Sequence, residues 1–320
     1  MLAATSPSSS VPLVLTELPS KPLRPNELRV RVRSIGVNPV DWKMREGGPL
    51  RLVHRIVGPS GPLVTGIDFA GEIVEVGSRV ESWKPGMRVV GGTDFSRGQR
   101  GSYADEVVVR EDQCVALPDA VSFDHAVCFP IPGATAWRGL VEIAGLPREN
   151  ARVLVLGASG GVGLTAVQLG RMLGVHVVGV CSARNVPVVE RLGATALDYN
   201  DGDVLARAAE RGPYDLVLNT VGSDVYPSSR CRGMLGSKGI LGLVVVKPRD
   251  YLAITFAPRT FHVFGRPTAA RMKPFVDALA TGKIEPIIAD TLPLVDAEEA
   301  HRRSRSGKTV GKLILRPRGI

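Results

Sequence analysis

The chain has 320 residues, and at roughly 100–200 residues per domain this length predicts two domains. Hydrophobic residues make up 44% of the sequence and charged residues 22%, a composition that argues against both a disordered polymer and a membrane bundle. The 40 lysines and arginines exceed the 31 acidic residues and give a net charge of +9, which favours a nucleic-acid partner only where the positive residues cluster.

The positive residues are scattered along the chain, apart from one dense tract at 302–305 with Lys308 and Lys312 close behind it. This distribution favours an ordinary basic surface over a nucleic-acid site. The longest apolar run, 240–246, falls far short of the ~20 residues that a membrane-spanning helix needs. We therefore expect neither nucleic acid nor a membrane as a partner.

The four cysteines are too widely spaced for a zinc motif or a disulfide framework, since they stand at positions 114, 128, 181 and 231. Free thiols fit a reducing compartment. The first residues have no basic segment followed by an apolar one, so they do not resemble a secretory signal. A cytoplasmic protein is the expectation that follows.

Short β-rich segments separated by glycine and proline dominate the first third of the chain. The first ten residues are small and polar and predict a mobile lead-in. The glycine- and proline-rich stretch 48–62 suggests a mobile lid. An antiparallel or mixed barrel-like domain follows from the strands expected at 28–32, 69–76, 88–90 and 104–109.

The pattern changes near residue 122 to an alternation of buried strands and helices, which predicts a parallel, doubly wound sheet. The expected strands are 153–156, 176–180, 216–219 and 240–246, and the expected helices are 166–173, 186–192 and 204–211. After residue 265 we expect one amphipathic helix, 269–280, and a closing strand, 312–315.

The strongest local signal is RVLVLGASGGVGLTAVQLG, residues 152–170, in which a strand, a glycine-rich turn and a helix follow one another. Gly157 permits the tight turn, Gly160 lets backbone N–H groups approach a pyrophosphate, and Gly163 allows the helix to pack closely on the strand. The helix N-terminus favours the negative charge of the phosphates. We expect a dinucleotide-binding loop made of Gly157, Ala158, Ser159, Gly160, Gly161, Val162 and Gly163; the alternative is a glycine-rich turn with no ligand.

The end of the second strand of this sheet indicates which dinucleotide binds. An NAD site places an acidic residue there to bind the ribose 2′-hydroxyl, whereas this chain reads CSARN at 181–185. Ser182 could donate to a 2′-phosphate, and Arg184 could form a charge-assisted pair with it. We therefore predict NADPH. Tyr199 either flanks the same phosphate or is a surface aromatic residue.

Several ordered stretches resemble one family. The chain is similar to zinc-free medium-chain dehydrogenase/reductases of the quinone oxidoreductase type, and in part to plant alkenal (oxoene) reductases, through VNPVDWKMREG (37–47), TGIDFAGEIVEVG (65–77), GSYADEVVV (101–109), PIPGATAW (130–137), GASGGVG (157–163) and the terminal GKIEPII and TVGKLIL. The resemblance implies an α/β protein. A Rossmann doubly wound parallel sheet, 124–264, would be inserted into a GroES-like β-barrel catalytic domain, 1–123 and 265–320, with the active site in the cleft.

The resemblance also bears on metal. Zinc members of the superfamily place a cysteine where this chain has Asn38 and a histidine where it has Ile67. Asparagine and isoleucine cannot supply the thiolate and the imidazole of a catalytic zinc site. We therefore expect no metal.

Without a Lewis acid, another group must polarise the substrate or protonate it. The resemblance makes Lys43 the first candidate, since it stands where zinc members carry a proton-relay histidine. Its ammonium could bind the nicotinamide ribose or donate to the developing enolate, and the alternative is an exposed helix lysine. Asn38 could donate its amide to the ribose or to a substrate oxygen. Asp41 is expected to orient the helix start or to pair with a base.

Residues at strand ends complete the expected cofactor site, because the carboxyl ends of strands in a doubly wound sheet face the ligand crevice. Thr135 matches a position that contacts the nicotinamide in relatives. Asn219 and Val221 follow the fourth strand, although relatives often carry aspartate at the position of Asn219. Leu243 and Val244 are expected to face the nicotinamide through their backbone. For all of these, packing alone is the alternative.

The sequence thus predicts an NADPH-dependent, zinc-free reductase that delivers hydride to the β-carbon of an α,β-unsaturated carbonyl. A quinone is the second acceptor and an enoyl thioester the third. The alternative of a different class is a protein that binds NADPH or contacts RNA without turnover. Relatives are commonly homodimers that pair sheet edges, and the uncharged run 239–246 could be such an edge.

Overall fold

The structure is a computed structural model, and it describes residues 1–6, 11–47, 56, 58 and 61–317. Its internal contacts divide the chain into a first unit, Met1–Ile131 with Arg266–Ile320, and a second unit, Pro132–Gly265. The suggested lid at 48–62 falls mostly outside the described residues.

Strands outnumber helices in the first unit and alternate with helices in the second. The strands are β1 (Leu2–Ser6), β2 (Val14–Glu17), β3 (Glu27–Gly36), β4 (Leu63–Val64), β5 (Asp68–Val76), β6 (Arg88–Gly92), β7 (Glu106–Arg110), β8 (Cys114–Ala116), β9 (Arg152–Leu156), β10 (His176–Cys181), β11 (Thr195–Asp198), β12 (Tyr214–Asn219), β13 (Leu235–Leu243), β14 (Thr260–His262), β15 (Ile288–Pro293) and β16 (Lys312–Arg316). The α-helices are α1 (Pro39–Glu46), α2 (Phe123–Ala126), α3 (Pro130–Trp137), α4 (Gly161–Met172), α5 (Val186–Arg191), α6 (Val204–Ala209), α7 (Ser228–Gly233), α8 (Asp250–Phe256), α9 (Ala269–Ala280) and α10 (Ala297–Arg305).

The first unit is built around β3, which pairs with β5, β7 and β16 in antiparallel fashion. The whole sheet runs β15-β16-β3-β5-β6-β8, with β7 paired to β3, and only β15 and β16 are parallel neighbours. Leu28, Val30 and Val32 point into the core because side chains alternate along a strand. The mixed, barrel-like sheet expected from the sequence is confirmed.

The N-terminal segment corrects one expectation. Residues 2–6 do not form a mobile lead-in: they are β1, which pairs with β2 on one side and β4 on the other. Ala3 and Ala4 are buried in the core of the first unit. Small side chains let this strand lie close to its neighbours, and the polar Thr5 is satisfied by a hydrogen bond to Thr16 at 2.7 Å.

The second unit is a six-stranded parallel sheet in the order β11-β10-β9-β12-β13-β14. Buried apolar side chains fill its strands, Leu154 and Leu156 among them, as expected where helices cover both faces of a parallel sheet. The predicted doubly wound fold is therefore confirmed.

In the first unit, helix α9 begins and ends at the residues predicted from the sequence.

The strand expected to form a sheet edge is interior. β13 pairs with β12 on one side and with β14 on the other. The edge strand on this side of the sheet is therefore β14, which has three residues and carries no long apolar run.

The first unit extends eight residues beyond the sequence-based boundary at 123. Helix α2 packs on β3 and β5, and Asp124 in it accepts a hydrogen bond from the Ser34 hydroxyl and pairs with Arg316. These contacts join α2 to the barrel-like sheet. None of the helices in the described parts of the chain is both long enough and apolar enough to cross a membrane.

Candidate active site

The glycine-rich loop lies at the carboxyl end of β9, the central strand of the second unit, and leads into α4. Gly157 has φ +87°, and a Cβ on it would lie 2.5 Å from Thr220 Oγ1. A Cβ on Gly163 would lie 2.2 Å from the Gly157 carbonyl oxygen. At Gly160 the nearest atom would be 3.6 Å away. Steric contact therefore requires glycine at positions 157 and 163. At position 160 a Cβ would fit within the chain without a clash.

The N-terminus of α4 gives this loop its chemistry. The helix begins at Gly161 after Gly160, and the amides of its first turn have no intrahelical acceptor. These N–H groups and the helix dipole favour a phosphate at this point. The Gly157 and Ala158 N–H groups already donate to the Val180 carbonyl, and the Gly160 N–H donates to the Gly157 carbonyl. We therefore expect a pyrophosphate to meet Ser159 and the first-turn residues Gly161, Val162 and Gly163.

The turn after β10 lies beside the loop. Asn185, which sequence reasoning did not single out, donates its amide to the Ser159 hydroxyl at 3.0 Å. Arg184 is exposed in the same short turn, and the Ser182 hydroxyl is buried with no hydrogen-bond partner among the described residues. Tyr199 is exposed, and its backbone N–H donates to Cys181 at 3.0 Å. The structure therefore gathers these predicted residues at one end of the sheet.

Asn219 is buried, and its side chain shapes a loop instead of facing outward. Its Oδ1 accepts the backbone N–H groups of Val221 and Gly222 at 3.0 and 2.9 Å, and its Nδ2 donates to the Tyr226 carbonyl at 3.2 Å. Thr220 fills the space that Gly157 leaves. Asn219 thus sets the loop that borders the glycine turn.

The backbone of the strand end at Leu243 and Val244 already has partners. Leu243 accepts from the Val263 N–H at 2.8 Å, and the Val244 N–H donates to the Asn219 carbonyl at 2.9 Å. Thr135 is buried, with Oγ1 3.4 Å from the Gly265 N–H. These three residues therefore contribute to the shape of the sheet end in this structure.

In the first unit, the predicted residue Asn38 is buried at the N-cap of α1. Its Nδ2 donates to Asp68 Oδ2 at 2.9 Å and to the Gly36 carbonyl at 3.3 Å, and its Oδ1 accepts from Lys312 Nζ at 2.5 Å. Both amide hydrogens are therefore used within the chain, which leaves Asn38 no donor for a ribose or a substrate oxygen. The geometry gives it a positioning role.

A second buried network begins at Asp41, whose Oδ2 accepts the Asn38 N–H at 2.7 Å and the Tyr103 hydroxyl at 3.3 Å. Tyr103 lies 3.1 Å from His301 Nε2, and His301 Nδ1 lies 3.2 Å from Arg45 Nη1. A guanidinium only donates, so Nδ1 accepts, Nε2 carries the proton, and every hydrogen bond points towards Asp41. Arg45 in turn pairs with Glu298 at 2.8 Å.

This series of hydrogen bonds begins at Arg45, whose guanidinium only donates. Burial lowers the pKa of His301 to about 3, assisted by Arg45 and Arg305, and keeps the ring neutral. Burial also raises the pKa of Asp41 to about 8, because its hydrogen bonds and Lys312 do not fully offset desolvation. Its Oδ1 has no partner among the described residues.

Asp41→Asn is expected to stabilise the protein increasingly as the pH rises. The folded chain holds the Asp41 proton up to about pH 8, whereas the unfolded chain releases it near the ordinary 3.8, so its contribution to stability is lost as the pH rises between these values. Asparagine keeps the accepting oxygen and never ionises. The gain over the parent should grow by about 1.4 kcal/mol per pH unit across that window.

Urea unfolding at pH 5 and pH 8.5 measures this difference. Asp119→Asn is the matched control, since the Asp119 side chain is 99% exposed. An equal stability change at both pH values for Asp41→Asn would show that Asp41 does not titrate in this way.

Lys43 lies on α1 and is half-buried. Its Nζ is 5.5 Å from the centre of the Trp42 ring, and Arg305 contacts the same ring at 5.3 Å. Trp42 donates to Ser304 Oγ at 3.2 Å, and Arg305 pairs with Glu46 at 2.8 Å. Burial lowers the pKa of Lys43 against the opposing charge of Glu46. The ammonium is thus held on a fixed aromatic face.

These contacts also account for the basic tract at 302–305. Arg302 and Arg303 both pair with Glu299, at 2.6 and 2.8 Å, and Arg303 also pairs with Asp290 at 2.5 Å. Arg305 pairs with Glu46. The arginines of the tract are therefore matched by carboxylates of the same unit, which removes the main argument for a nucleic-acid site.

Two families match the chain. Residues 24–119 match the alcohol dehydrogenase GroES-like domain, and residues 192–315 match a family described as zinc-binding dehydrogenase.

Relatives align over nearly the whole chain. A chloroplast envelope quinone oxidoreductase homologue of Arabidopsis thaliana is 31% identical over 94% of this chain and 93% of its own length. A trans-enoyl reductase of Aspergillus terreus is 30% identical over 93% and 88%. A mitochondrial NAD(P)H oxidoreductase of Danio rerio is 29% identical over 91% and 84%. Among solved structures, the quinone oxidoreductase of Coxiella burnetii has a TM-score of 0.87 and 26% identity, covering 98% of each chain.

The name of the second matching family raises the question of zinc, and the donors present do not fit it. The Lys312 ammonium bonds to both Asn38 and Asp68, so a cation of the chain already neutralises the carboxylate there. Ile67 offers no ligand atom. Within the described ranges, no three His, Cys, Asp or Glu side chains come together as a metal site.

Proposed function

This chain belongs to the medium-chain dehydrogenase/reductase family, in its quinone oxidoreductase-like branch, and is an oxidoreductase that uses a nicotinamide cofactor; we propose that it reduces α,β-unsaturated carbonyl compounds with NADPH. When bound, the cofactor supplies hydride, which adds to the β-carbon and leaves an enolate. The enolate then takes one proton at its α-carbon, and we assign that proton to the Lys43 ammonium.

The observation that carries the proposal is the half-buried lysine of lowered pKa on α1 of the first unit. The glycine-rich turn before α4 in the second unit supports it, because its close contacts at Gly157 and Gly163 are those expected of a dinucleotide-binding loop. A reductase of this kind needs a proton source whose pKa lies near the working pH. Asn38, with both amide hydrogens occupied, positions the helix that carries Lys43. Asn185 and Thr220 join the loop residues as structural supports of the cofactor site.

NADPH consumption with an enone, a quinone and an enoyl thioester tests the proposal. We expect the enone to turn over fastest. Turnover confined to the quinone would instead favour the acceptor named for the Arabidopsis and Coxiella relatives, and turnover confined to the thioester would favour enoyl reduction. Tight NADPH binding without turnover would reject the enzyme proposal, and RNA retention that falls steeply with salt would favour the RNA-contacting alternative.

Arg184→Glu tests the choice of NADPH. We expect KM for NADPH to rise by roughly 10- to 100-fold, because a hydrogen bond to a charged group contributes about 1.5–3 kcal/mol and the new carboxylate repels the 2′-phosphate. KM for NADH should change far less. Lys238→Glu, an exposed charge reversal in the same unit, is the matched control. A parent enzyme that prefers NADH would contradict the NADPH assignment.

A homodimer remains the proposed assembly. The edge strand β14 presents Phe261, which is 41% exposed, and an unpaired strand edge favours pairing with another chain. Light scattering that finds a monomer would reject this assembly. The cytoplasmic location stays a prediction.

A further inference from the structure

A buried cluster of a cation, a carboxylate and an amide lies in the first unit. Lys312 on β16 is 4% exposed, and its Nζ lies 2.8 Å from Asp68 Oδ2 and 2.5 Å from Asn38 Oδ1. Asp68 is fully buried, and its Oδ1 accepts the Ile131 N–H at 3.0 Å. The cluster therefore joins the last strand of the chain to the segment that begins α1.

The backbone makes room for this cluster at one glycine. A Cβ on Gly36 would lie 2.7 Å from both Lys312 Cε and the Val127 carbonyl oxygen, and 3.0 Å from Asp68 Cβ. Any other residue at position 36 would displace the lysine stem, the carboxylate or the backbone at Val127. The close approach of the two charged side chains is thus built into β3.

Stability alone is a weak reason for such a pair. Removing two charges from water is costly, and an apolar pair of similar volume is often as stable or more so. Burial does raise the pKa of Asp68, and the Lys312 ammonium opposes that rise. A buried ion pair is best explained where it fixes one arrangement of the chain.

Asn38 is the third member of the cluster, and the ion pair fixes the orientation of its side-chain amide. The Asn38 amide has its oxygen on an ammonium and its nitrogen on a carboxylate, so the two charges permit only one orientation of the amide. Asn38 is the N-cap of α1, and Asp41 holds its backbone N–H from the other side. Asn38 therefore links the end of β3 to the start of α1 through contacts of both its side chain and its backbone.

We propose that Lys312 is a positioning residue, which orients Asn38 and through it the start of α1 that carries Lys43. The ammonium touches neither substrate nor cofactor in this scheme. Its effect on turnover rests on the proposed function, whereas its effect on α1 does not.

The rival explanation is that Lys312 only neutralises Asp68. Two double variants separate the explanations. Lys312→Met with Asp68→Asn removes both charges and the donor to Asn38. Lys312→Gln with Asp68→Asn removes both charges but keeps an N–H donor, one atom nearer the backbone. At position 312 the two differ in whether a donor can reach Asn38 Oδ1, and the amide introduced at position 68 is common to both.

Both double variants should be far more stable than Lys312→Met alone, because that single variant leaves the buried Asp68 carboxylate without its ammonium partner. We expect kcat of the Met/Asn variant to fall about tenfold, with KM for NADPH within about twofold of the parent. The Gln/Asn variant should recover most of the loss. Equal kcat in the parent and a folded Met/Asn variant, or equal loss in both double variants, would overturn the proposal.

Hydrogen exchange at the amides of 40–46 gives a readout that needs no turnover, since Pro39 has no N–H. We expect exchange there to quicken about tenfold in the Met/Asn variant and to return towards the parent rate in the Gln/Asn variant, with exchange in the second unit unchanged. A parent without reductase activity would reject the proposed function, and the exchange comparison would still decide the role of Lys312. Unchanged exchange at α1 would overturn that role.

Discussion

Gly160→Ala should weaken NADPH binding by about 100-fold and leave the stability of the fold unchanged. A Cβ at this position would lie 3.6 Å from the Gly157 carbonyl oxygen, an ordinary contact. The methyl would instead project where backbone N–H groups are expected to meet the pyrophosphate. Hydrogen bonds to a charged group contribute about 1.5–3 kcal/mol each, so displacing one or two of them accounts for the expected loss.

Gly163→Ala should behave differently, lowering stability as well as affinity. Its Cβ would lie 2.2 Å from the Gly157 oxygen and 2.7 Å from Ala158 Cα. These are backbone atoms, so the strain moves the whole turn, and overpacking of this kind costs about 1–3 kcal/mol.

Isothermal titration with NADPH and urea unfolding measure the two effects separately. Gly233→Ala is the control, because a Cβ there would meet no atom within 4 Å. If Gly160→Ala bound NADPH like the parent, the pyrophosphate would not lie at this turn. Loss of stability in Gly160→Ala would instead mean that the space at this glycine serves packing.

The parallel sheet and its loop could be predicted because their signals are local. A strand, a glycine-rich turn and a helix follow one another within 152–170, and both the strand and the helix are long enough to show their period. β14 escaped prediction because three residues show no period. The short β1 escaped it because its small side chains look like those of an unstructured terminus.

The buried charges of the first unit could not be predicted, because their partners lie far apart in the chain. Lys312 and Asn38 are 274 residues apart, and Tyr103 and His301 are 198 apart. The sequence shows that Lys312 precedes an apolar strand and that His301 follows two glutamates. It does not show which distant residue will contact either side chain. The one local hint was the charge of Lys312 beside LIL at 313–315.

The role expected of Asn219 changed for a different reason, which is local. Asn219 was a natural ligand candidate by position, yet its side chain is used by the loop that follows it. Local hydrogen bonding of asparagine to nearby backbone groups is a common use of this residue. Position in a doubly wound sheet therefore does not predict which groups of a residue remain available to a ligand.

The environment of Lys43 makes it the residue whose loss should affect turnover most. Trp42 presents its ring to the ammonium, and Ser304 and Arg305 of α10 contact the same indole. A half-buried ammonium of lowered pKa gives up its proton more readily than one in water. The same ammonium would also attract the negative charge of a developing enolate.

Lys43→Met should therefore lower kcat by about 10²–10⁴-fold, the usual contribution of a positioned acid, with little change in KM for NADPH. Lys43→Arg keeps the positive charge but holds its proton too tightly to donate it, so it should recover binding of the acceptor and not kcat. In the parent, kcat should fall as the pH rises through the pKa of Lys43, since the donor must be protonated, and Lys43→Met should lack this limb. Lys84→Met, at an exposed lysine of the same unit, is the control. Full turnover in Lys43→Met would assign the proton to solvent and leave Lys43 as a surface residue of α1.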